Sequence, residues 1–363
     1  MTSTPTPLLW ISGAPGTGKT TTGWRVFERL IASGGNAAYV DIDQLGLLGP
    51  FDRLTGSAPH TMKANNLARV VDVLRTHGLR QMIVSGVVDP EHGAARFDEL
   101  AAPTIAPTHV RLRCDWAELE RRYLGRGSDP DTIAALREIA DLYDRSAIGT
   151  VDTTGLDVDD VAHNLAANHC AVRPAPWSPA PAVDAAPLPT TVLYGATAVG
   201  TSTVGWELVR HRWARGRATA YIDAGQLGFH GAAYDPAVHA SAYAALTRGY
   251  ERAGAQDLIV VTHDPELVLT AHRHHAPTRV LLDASDAALT SRVGLRSRTS
   301  TGLLPGDEIV RADPTRQRLL AERAHRQAAR LRNDDGADIT IDTTDDEPSG
   351  TVERVERALA ERA

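Results

Sequence analysis

The amino-acid sequence predicts an α/β fold made twice over: two tandem three-layer α/β/α domains, each around a parallel sheet of roughly five strands. Three observations predict it. The first is an internal repeat. Gly13, Ala14, Gly18, Gly23, Trp24, Gly34, Tyr39, Asp41, Gln44, Leu45 and Gly46 recur without a gap 182 positions later as Gly195, Ala196, Gly200, Gly205, Trp206, Gly216, Tyr221, Asp223, Gln226, Leu227 and Gly228. Ile83, Val84, Asp89, Pro90 and Glu91 return as Ile259, Val260, Asp264, Pro265 and Glu266, and Asp152-Thr153-Thr154 as Asp342-Thr343-Thr344. This period exceeds that of solenoid repeats, so whole domains repeat. The second is the succession of short apolar runs, each suited to a buried parallel strand, with amphipathic stretches between them. The third is a segment with six prolines, AVRPAPWSPAPAVDAAPLP, lying where the repeat requires a boundary. Residues 1–170 then form one domain, 171–189 an extended semi-rigid spacer and 190–363 the second domain. A chain of 363 residues gives each half enough length for its own core.

In the first half, Leu8 to Ser12 is an apolar strand candidate that ends at glycine. Lys19 to Ile31 reads as an amphipathic helix closed by Ser33-Gly34-Gly35. Ala37 to Ile42 is the next strand, and a helix opens near His60. Gln81 to Val84 and Val110 to Cys114 follow as strands, with a helix over Asp115 to Tyr123. Val151-Asp152-Thr153-Thr154-Gly155 leads into a last helix.

Composition excludes several classes. Two cysteines, Cys114 and Cys170, give neither a disulfide framework nor a zinc spacing, and His272-Arg273-His274-His275 has no carboxylate or cysteine spacing to complete a metal site. The N-terminal residues lack the pattern of a signal peptide, and no apolar stretch could span a bilayer, so a soluble cytoplasmic protein is expected. A formal charge of −7 argues against a general nucleic-acid binder. Only two lysines, Lys19 and Lys63, stand against 36 arginines. An arginine fork is a poor substitute for a compact, mobile ammonium among phosphates, which makes Lys19 informative.

Lys19 lies in Gly13-Ala14-Pro15-Gly16-Thr17-Gly18-Lys19-Thr20, which fits G-x-x-x-x-G-K-[ST] between a strand and a helix. Glycines let backbone N–H groups turn inward on phosphate oxygens, and the helix N-terminus, continuing through Thr21, adds its positive end. Lys19 would reach the outer phosphates of ATP, and the Thr20 hydroxyl would ligate Mg²⁺. Asp41 and Asp43, as alternate residues at a strand end, can point together toward the carboxyl edge of the sheet. One can support Mg²⁺ and the other accept a proton from an attacking hydroxyl. The second copy carries Thr201 for Lys19 and Gly225 for Asp43, so two chemical positions are lost there.

GAPGTGKT, then VDIDQL, then an arginine-bearing segment, then VDTTG, resembles the small-molecule P-loop kinases: shikimate, gluconate and adenylylsulfate kinases and related nucleoside-kinase-like P-loop NTPases. The resemblance covers the N-terminal half. It implies a five-stranded parallel sheet, Asp41 as metal support, Asp43 as acceptor contact and base, and Arg122 and Arg126 as lid arginines that close on the phosphates. It further implies that Asp152, Thr153 and Thr154 lie beside the adenine ring, and that Ser85, Gly86 and Asp89 face the acceptor. Lys63 and Asn66, one helical turn apart, are placed to meet an anionic or polar acceptor. The expected function is ATP- and Mg²⁺-dependent phosphoryl transfer to a small hydroxyl-bearing acceptor by the first domain, with the second structural or regulatory. Two other readings stay open: a nucleotide-binding regulatory protein without transfer, and a nucleotide or polynucleotide kinase.

Overall fold

The computed structural model describes residues 4–51, 58–89, 93, 95–101, 104–145, 148–174, 176–178, 183–227, 229–230, 236–299 and 304–362. In chain order the first half forms β1 (Thr6–Gly13), α1 (Lys19–Ala32), β2 (Ala37–Asp41), β3 (Leu48–Gly49), α2 (Ala58–Thr76), β4 (Gln81–Ser85), α3 (Ala95–Ala101), β5 (Ile105–Arg113), α4 (Trp116–Gly125), α5 (Ile133–Asp144), β6 (Gly149–Asp152) and α6 (Val158–His169). The second half forms β7 (Thr190–Gly195), α7 (Thr201–Ala214), β8 (Thr219–Asp223), β9 (Phe229–His230), α8 (Pro236–Arg252), β10 (Asp257–Thr262), α9 (Pro265–Leu269), β11 (Thr278–Asp283), α10 (Asp286–Thr299), α11 (Pro314–Arg332), β12 (Ile339–Asp342) and α12 (Pro348–Ala360). The two halves follow the same order of elements. Among the described residues no helix is long and apolar enough to cross a membrane.

The chain folds into two compact units. The first comprises residues 1–46, 55–182 and 226–249, the second 47–54, 183–225 and 250–363. The contiguous partition at 171–189 therefore needs two corrections. Residues 47–54 belong to the second unit and 226–249 to the first. The spacer is also not free along its length: in the first unit Ser178 N donates to His77 O at 2.8 Å and Asn36 N to Arg173 O at 3.2 Å.

In the first unit the sheet order is β6-β5-β1-β4-β2-β9. The first five strands are parallel, and β9 closes the β2 edge antiparallel through Ala38↔His230 and Tyr39↔Phe229. Period-two alternation divides the strand residues between two faces. Leu9, Ile11, Tyr39, Ile83, Val110 and Leu112 pack with Val26, Phe27 and Leu30 of α1 and Val161 and Leu165 of α6. Toward the other face Trp10 meets Phe97 of α3 edge-on, with ring centroids 5.5 Å apart. Strand β1 is buried at the centre, which explains its nearly unbroken apolar run.

The second unit has the equivalent order, β12-β11-β7-β10-β8-β3. Here β3 closes the β8 edge antiparallel through Leu48↔Ala220 and Gly49↔Thr219. Leu47 anchors it, with Tyr221 N donating to Leu47 O at 2.8 Å and Leu47 N to the Tyr250 hydroxyl at 2.9 Å. A two-residue strand is enough to cover an edge whose backbone groups would otherwise be unpaired. The indole of Trp213 lies against Gly49, where a β-carbon would come within 2.5 Å of the ring.

Candidate active site

The glycine loop of the first unit runs from the end of β1 into α1. Gly16 and Gly18 have φ of 95° and 89°, the left-handed region that glycine enters without steric cost. The Thr17 hydroxyl donates to Ala14 O at 2.9 Å, closing the loop on itself beside Pro15. No side chain caps the N-terminus of α1, so its first amides and its positive end are presented to the loop. Desolvation holds the Lys19 ammonium below its ordinary pKa, while the Asp41 and Asp43 carboxylates pull it back up.

Strand β2 ends at Asp41, and residues 42–45 make a 3₁₀ turn. Asp41 and Asp43 are therefore not alternate residues of one strand. Asp41 caps the turn, accepting from Asp43 N on Oδ1 at 3.0 Å. Its Oδ2 accepts from the Thr20 hydroxyl and the Ser85 hydroxyl, both at 3.0 Å. Ser85 is in turn paired with the Tyr39 hydroxyl at 2.7 Å. Burial, and then the neighbouring charge of Asp43, raise the Asp41 pKa above the usual carboxylate range. Buried carboxylate and hydroxyl oxygens crowded in this way suit a hard divalent cation, whose charge would relieve the strain of holding an anion out of water. Thr20 and Asp41 fit Mg²⁺.

Several residues take places other than those the resemblance implies. Ser85 is fully buried and serves Asp41 rather than an acceptor. Gly86, at φ 120°, lets the end of β4 pass against Asp41, since a β-carbon there would overlap Ile42 Cγ2 and stand 3.1 Å from Asp41 Oδ1. Asn66 is buried and donates to Leu45 O at 2.7 Å, fixing the 3₁₀ turn onto α2. Lys63 holds Asp43 through Nζ to Oδ1 at 2.6 Å.

Beside the loop, Thr17, Gly18, Thr21, Thr22, Arg122, Thr153, Leu156, Val158 and Val161 enclose about 170 Å³. Of the Asp152-Thr153-Thr154 triplet only Thr153 lines this space. The Asp152 carboxylate accepts from Thr154 N and its hydroxyl at 2.9 and 2.6 Å and pairs with Arg113 at 3.1 Å, so Asp152 and Thr154 build the turn. Arg122 is anchored, not hinged: it pairs with Glu118 and donates to Thr153 Oγ1 at 3.3 Å and Thr153 O at 3.2 Å. Arg126 is exposed, lies over the Tyr123 ring at 4.8 Å and donates to Ser128 Oγ at 3.0 Å.

A larger cavity of about 300 Å³ opens next to Lys63. Trp10, Ile42, His60, Thr61, Ala64, Val87, Val88, Asp89, Phe97 and Glu99 contribute to its walls. Asp89 thus lines the cavity, whereas Ser85, Gly86 and Asn66 do not.

The second unit keeps the backbone of this site and replaces its chemistry. Gly200 again starts the helix in the left-handed region, and Ser202 Oγ donates to Asp223 Oδ2 at 3.2 Å. The strand partner of Asp223 is Val261, where Asp41 has Ser85, so a hydroxyl is lost along with the lysine and the second aspartate. Gln327 of α11 accepts from Thr197 N and its hydroxyl at 2.9 and 2.8 Å, tying α11 to the loop. No sequence pattern marks Gln327, Trp10 or the Tyr39–Ser85 pair; the recurrence of Tyr39 as Tyr221 was the one available signal.

A parallel sheet whose central strand feeds a glycine loop, followed by a lysine-started helix and a strand ending in aspartate, is the arrangement of a P-loop nucleotide-binding fold. The chain matches no family model and no curated protein. It is similar to several solved structures. A tunicamycin resistance protein from Deinococcus radiodurans shares 18% identity over 47% of this chain and 99% of that one, with a TM-score of 0.35. The Mycobacterium tuberculosis APS kinase, solved with AMPPNP and APS, shares 20% over 44% and 95%, with a TM-score of 0.34. A shikimate kinase from Acinetobacter baumannii, solved with shikimate, shares 18% over 45% and 92%, with a TM-score of 0.31.

Proposed function

We propose that the protein is an ATP-dependent phosphotransferase whose first unit phosphorylates a hydroxyl of a small molecule. The observation that carries this reading is the convergence, at one sheet edge, of Lys19, the Thr20–Asp41 oxygen pair and the Lys63-held Asp43 beside a cavity of about 300 Å³. The loop amides and Lys19 bind the phosphates; the space next to Thr153 and Arg122 receives the nucleoside end. Mg²⁺ held by Thr20 and Asp41 would neutralise charge on the transferring phosphoryl. Tyr39 and Ser85 orient Asp41 by hydrogen bonds. Lys63 aims Asp43, which takes the proton of the attacking hydroxyl. Arg126, exposed on the segment between α4 and α5 and held there only by Ser128 and the Tyr123 ring among the described residues, is the arginine we assign to the phosphates; Arg122 lines the nucleoside space and positions Thr153.

The second unit we read as a copy of the first that has become structural or regulatory. Thr201, Gly225 and Val261 leave it without the ammonium, the base and the Ser85 hydroxyl that holds the strand-end aspartate, while Ser202 keeps the other hydroxyl on Asp223. The test is ADP release by purified protein across an acceptor panel. Lys19→Ala is expected to abolish transfer and Thr201→Lys to restore nothing. Tight ATP binding with no transfer to any acceptor would refute the reading in favour of a nucleotide-responsive binding protein.

A further inference from the structure

The second unit has lost groups needed for transfer, yet it keeps a cavity where the first unit has the space beside Thr153 and Arg122. The registers of the repeat that pair Gly13 with Gly195, Arg122 with Arg292 and Asp152 with Asp342 carry across every residue enclosing the first space. All of the counterparts line one cavity of the second unit, among them Gly200 for Gly18, Arg292 for Arg122 and Thr343 for Thr153. Its volume is about 470 Å³, against about 170 Å³ in the first unit. Sites for small molecules commonly span about 300–1,000 Å³.

The frame of the cavity is held by bonds of its own. Arg292 Nη1 donates to Val199 O at 2.9 Å and to Thr343 Oγ1 at 3.0 Å, as Arg122 donates to Thr153 in the first unit. The loop keeps its course although an alanine replaces a glycine: Ala198 has a φ of 66° where Gly16 has 95°. A residue with a β-carbon enters that region at a cost, which the hold of Gln327 on Thr197 helps to offset.

The walls differ in a definite direction. Thr201 stands for Lys19, so the ammonium that meets the outer phosphates in the first unit is gone. Arg296, the counterpart of exposed Arg126, is paired with Asp307 at 2.6 Å. Apolar Leu156 and Val161 become Asp346 and Thr351, with Asp346 paired to Arg354 at 2.6 Å. Glu347 is the side chain left over. Its counterpart Asp157 caps α6, accepting from Asp159 N at 2.7 Å, and stays off the first space. Glu347 stands at the same place before α12, makes no side-chain cap and lines the cavity. A carboxylate accepts hydrogen bonds and donates none, so a ligand that engages it brings N–H or O–H groups.

On the nucleoside assignment made for the first unit, we propose that the cavity of the second unit binds a nucleoside whose base carries an exocyclic amine, with at most one phosphate, as a ligand that is not turned over. Base and sugar lie between Arg292, Leu295 and Thr351, and the Glu347 carboxylate accepts from the amine. The second unit is then a sensor of nucleosides.

The experiment titrates nucleosides into the full chain saturated with Mg-AMPPNP, by calorimetry. Adenosine, guanosine and cytidine are each run beside an analogue without the amine: purine riboside, inosine and uridine. At least one amine-bearing nucleoside is expected to bind at one equivalent per chain, about 5- to 10-fold tighter than its analogue, the size of one net hydrogen bond. Thr203→Trp fills the cavity from an exposed position of α7, and should remove nucleoside binding while AMPPNP still binds. Thr21→Trp, its counterpart in the first unit, should do the reverse. Glu347→Ala should erase the preference for the amine and leave the analogue's affinity unaltered, a selectivity that a misfolded unit would not show. No nucleoside binding beside one bound AMPPNP would overturn the second site and leave the kinase reading intact. Two AMPPNP per chain, one of them lost in Thr203→Trp, would overturn the limit on phosphates. Nucleoside binding that Thr203→Trp removes, in a protein that binds no AMPPNP, would sink the kinase reading and keep the second site. A preference for the amine that survives Glu347→Ala would overturn the role of its carboxylate.

Discussion

Alanine at Gly86 tests whether the end of β4 positions Asp41 as the geometry requires. Two costs add at this position. The φ of 120° is one that an L side chain rarely adopts, and forcing it costs about 1–2 kcal/mol or more by comparison with the left-handed helical region. The new β-carbon would also overlap Ile42 Cγ2 and press on Asp41 Oδ1 at 3.1 Å, in a core where overpacking costs about 1–3 kcal/mol. Gly86→Ala should therefore destabilise the first unit by about 2–5 kcal/mol. Gly34 is the internal control. It has a φ of 77° at the end of α1 with nothing within 4 Å of a built β-carbon, so Gly34→Ala should cost the backbone component alone, about 1–2 kcal/mol. Urea unfolding of both variants, analysed for midpoint and slope, measures the difference. Steady-state ADP release on the folded fraction adds the functional arm: Gly86→Ala should lower kcat at least ~10-fold because Asp41 must move, whereas Gly34→Ala should not. Equal destabilisation by the two substitutions would refute the packing argument. A stable, fully active Gly86→Ala would refute the claim that this approach fixes the metal-side carboxylate.

Lys19→Ala should reduce phosphoryl transfer by at least ~10²–10³-fold, while ATP titration of the wild type should give one catalytic nucleotide site per chain. Lys63→Met should lower kcat about 10- to 100-fold through loss of Asp43 alignment, yet change stability by no more than about 1 kcal/mol, because the Asp43 side chain is half exposed. Arg126→Ala should lower kcat with stability within about 0.5 kcal/mol of wild type, as its side chain is on the surface; Arg122→Ala should instead raise KM for ATP and lower the melting temperature. Hydrogen bonds from Thr154 and Thr344 hold the Asp152 and Asp342 carboxyls below their ordinary pKa. Their contribution is fully present above the unfolded-state value near 3.8 and is lost as pH falls through the lower folded-state values. Urea midpoints measured between pH 5 and 2.5 should accordingly fall less steeply for the Asp152→Ala, Asp342→Ala double variant than for wild type.

The readable part of the site is the part built from contiguous residues. Gly13 to Thr20 needs only a strand before it and a helix after it, and both are written in the hydrophobic periodicity around them. The segments that misled are those whose local pattern is compatible with two backbone states. Asp41-Ile42-Asp43 reads equally well as a strand end or a turn, and the cap from Asp41 to Asp43 N decides for the turn. Asp152-Thr153-Thr154 reads as a polar loop open to ligand, but an aspartate two residues before a free N–H closes on its own backbone instead. Arg122 and Arg126 look alike at four residues' spacing; Glu118 one helical turn earlier, and Thr153 across the loop, claim only the former.

The sequence alone determined the recurrence of residues between the halves, the glycine loop with its lysine, the half that carries Lys19 and Asp43, and the chain order of the buried strands. These follow from local chemistry: backbone conformations that only glycine enters freely, an ammonium at one position, and apolar periods that survive any arrangement of the rest. Tertiary structure decided which unit each short segment joins, which hydroxyls hold Asp41, and which side chains wall the cavity beside Lys63. Two-residue strands such as β3 and β9 have no period to read, and their partners are chosen by an open sheet edge far away in the chain. Trp10, fifth in a strand whose middle is an unbroken apolar run, is indistinguishable in sequence from its buried neighbours. Only its packing against Phe97 and His109 sets it apart.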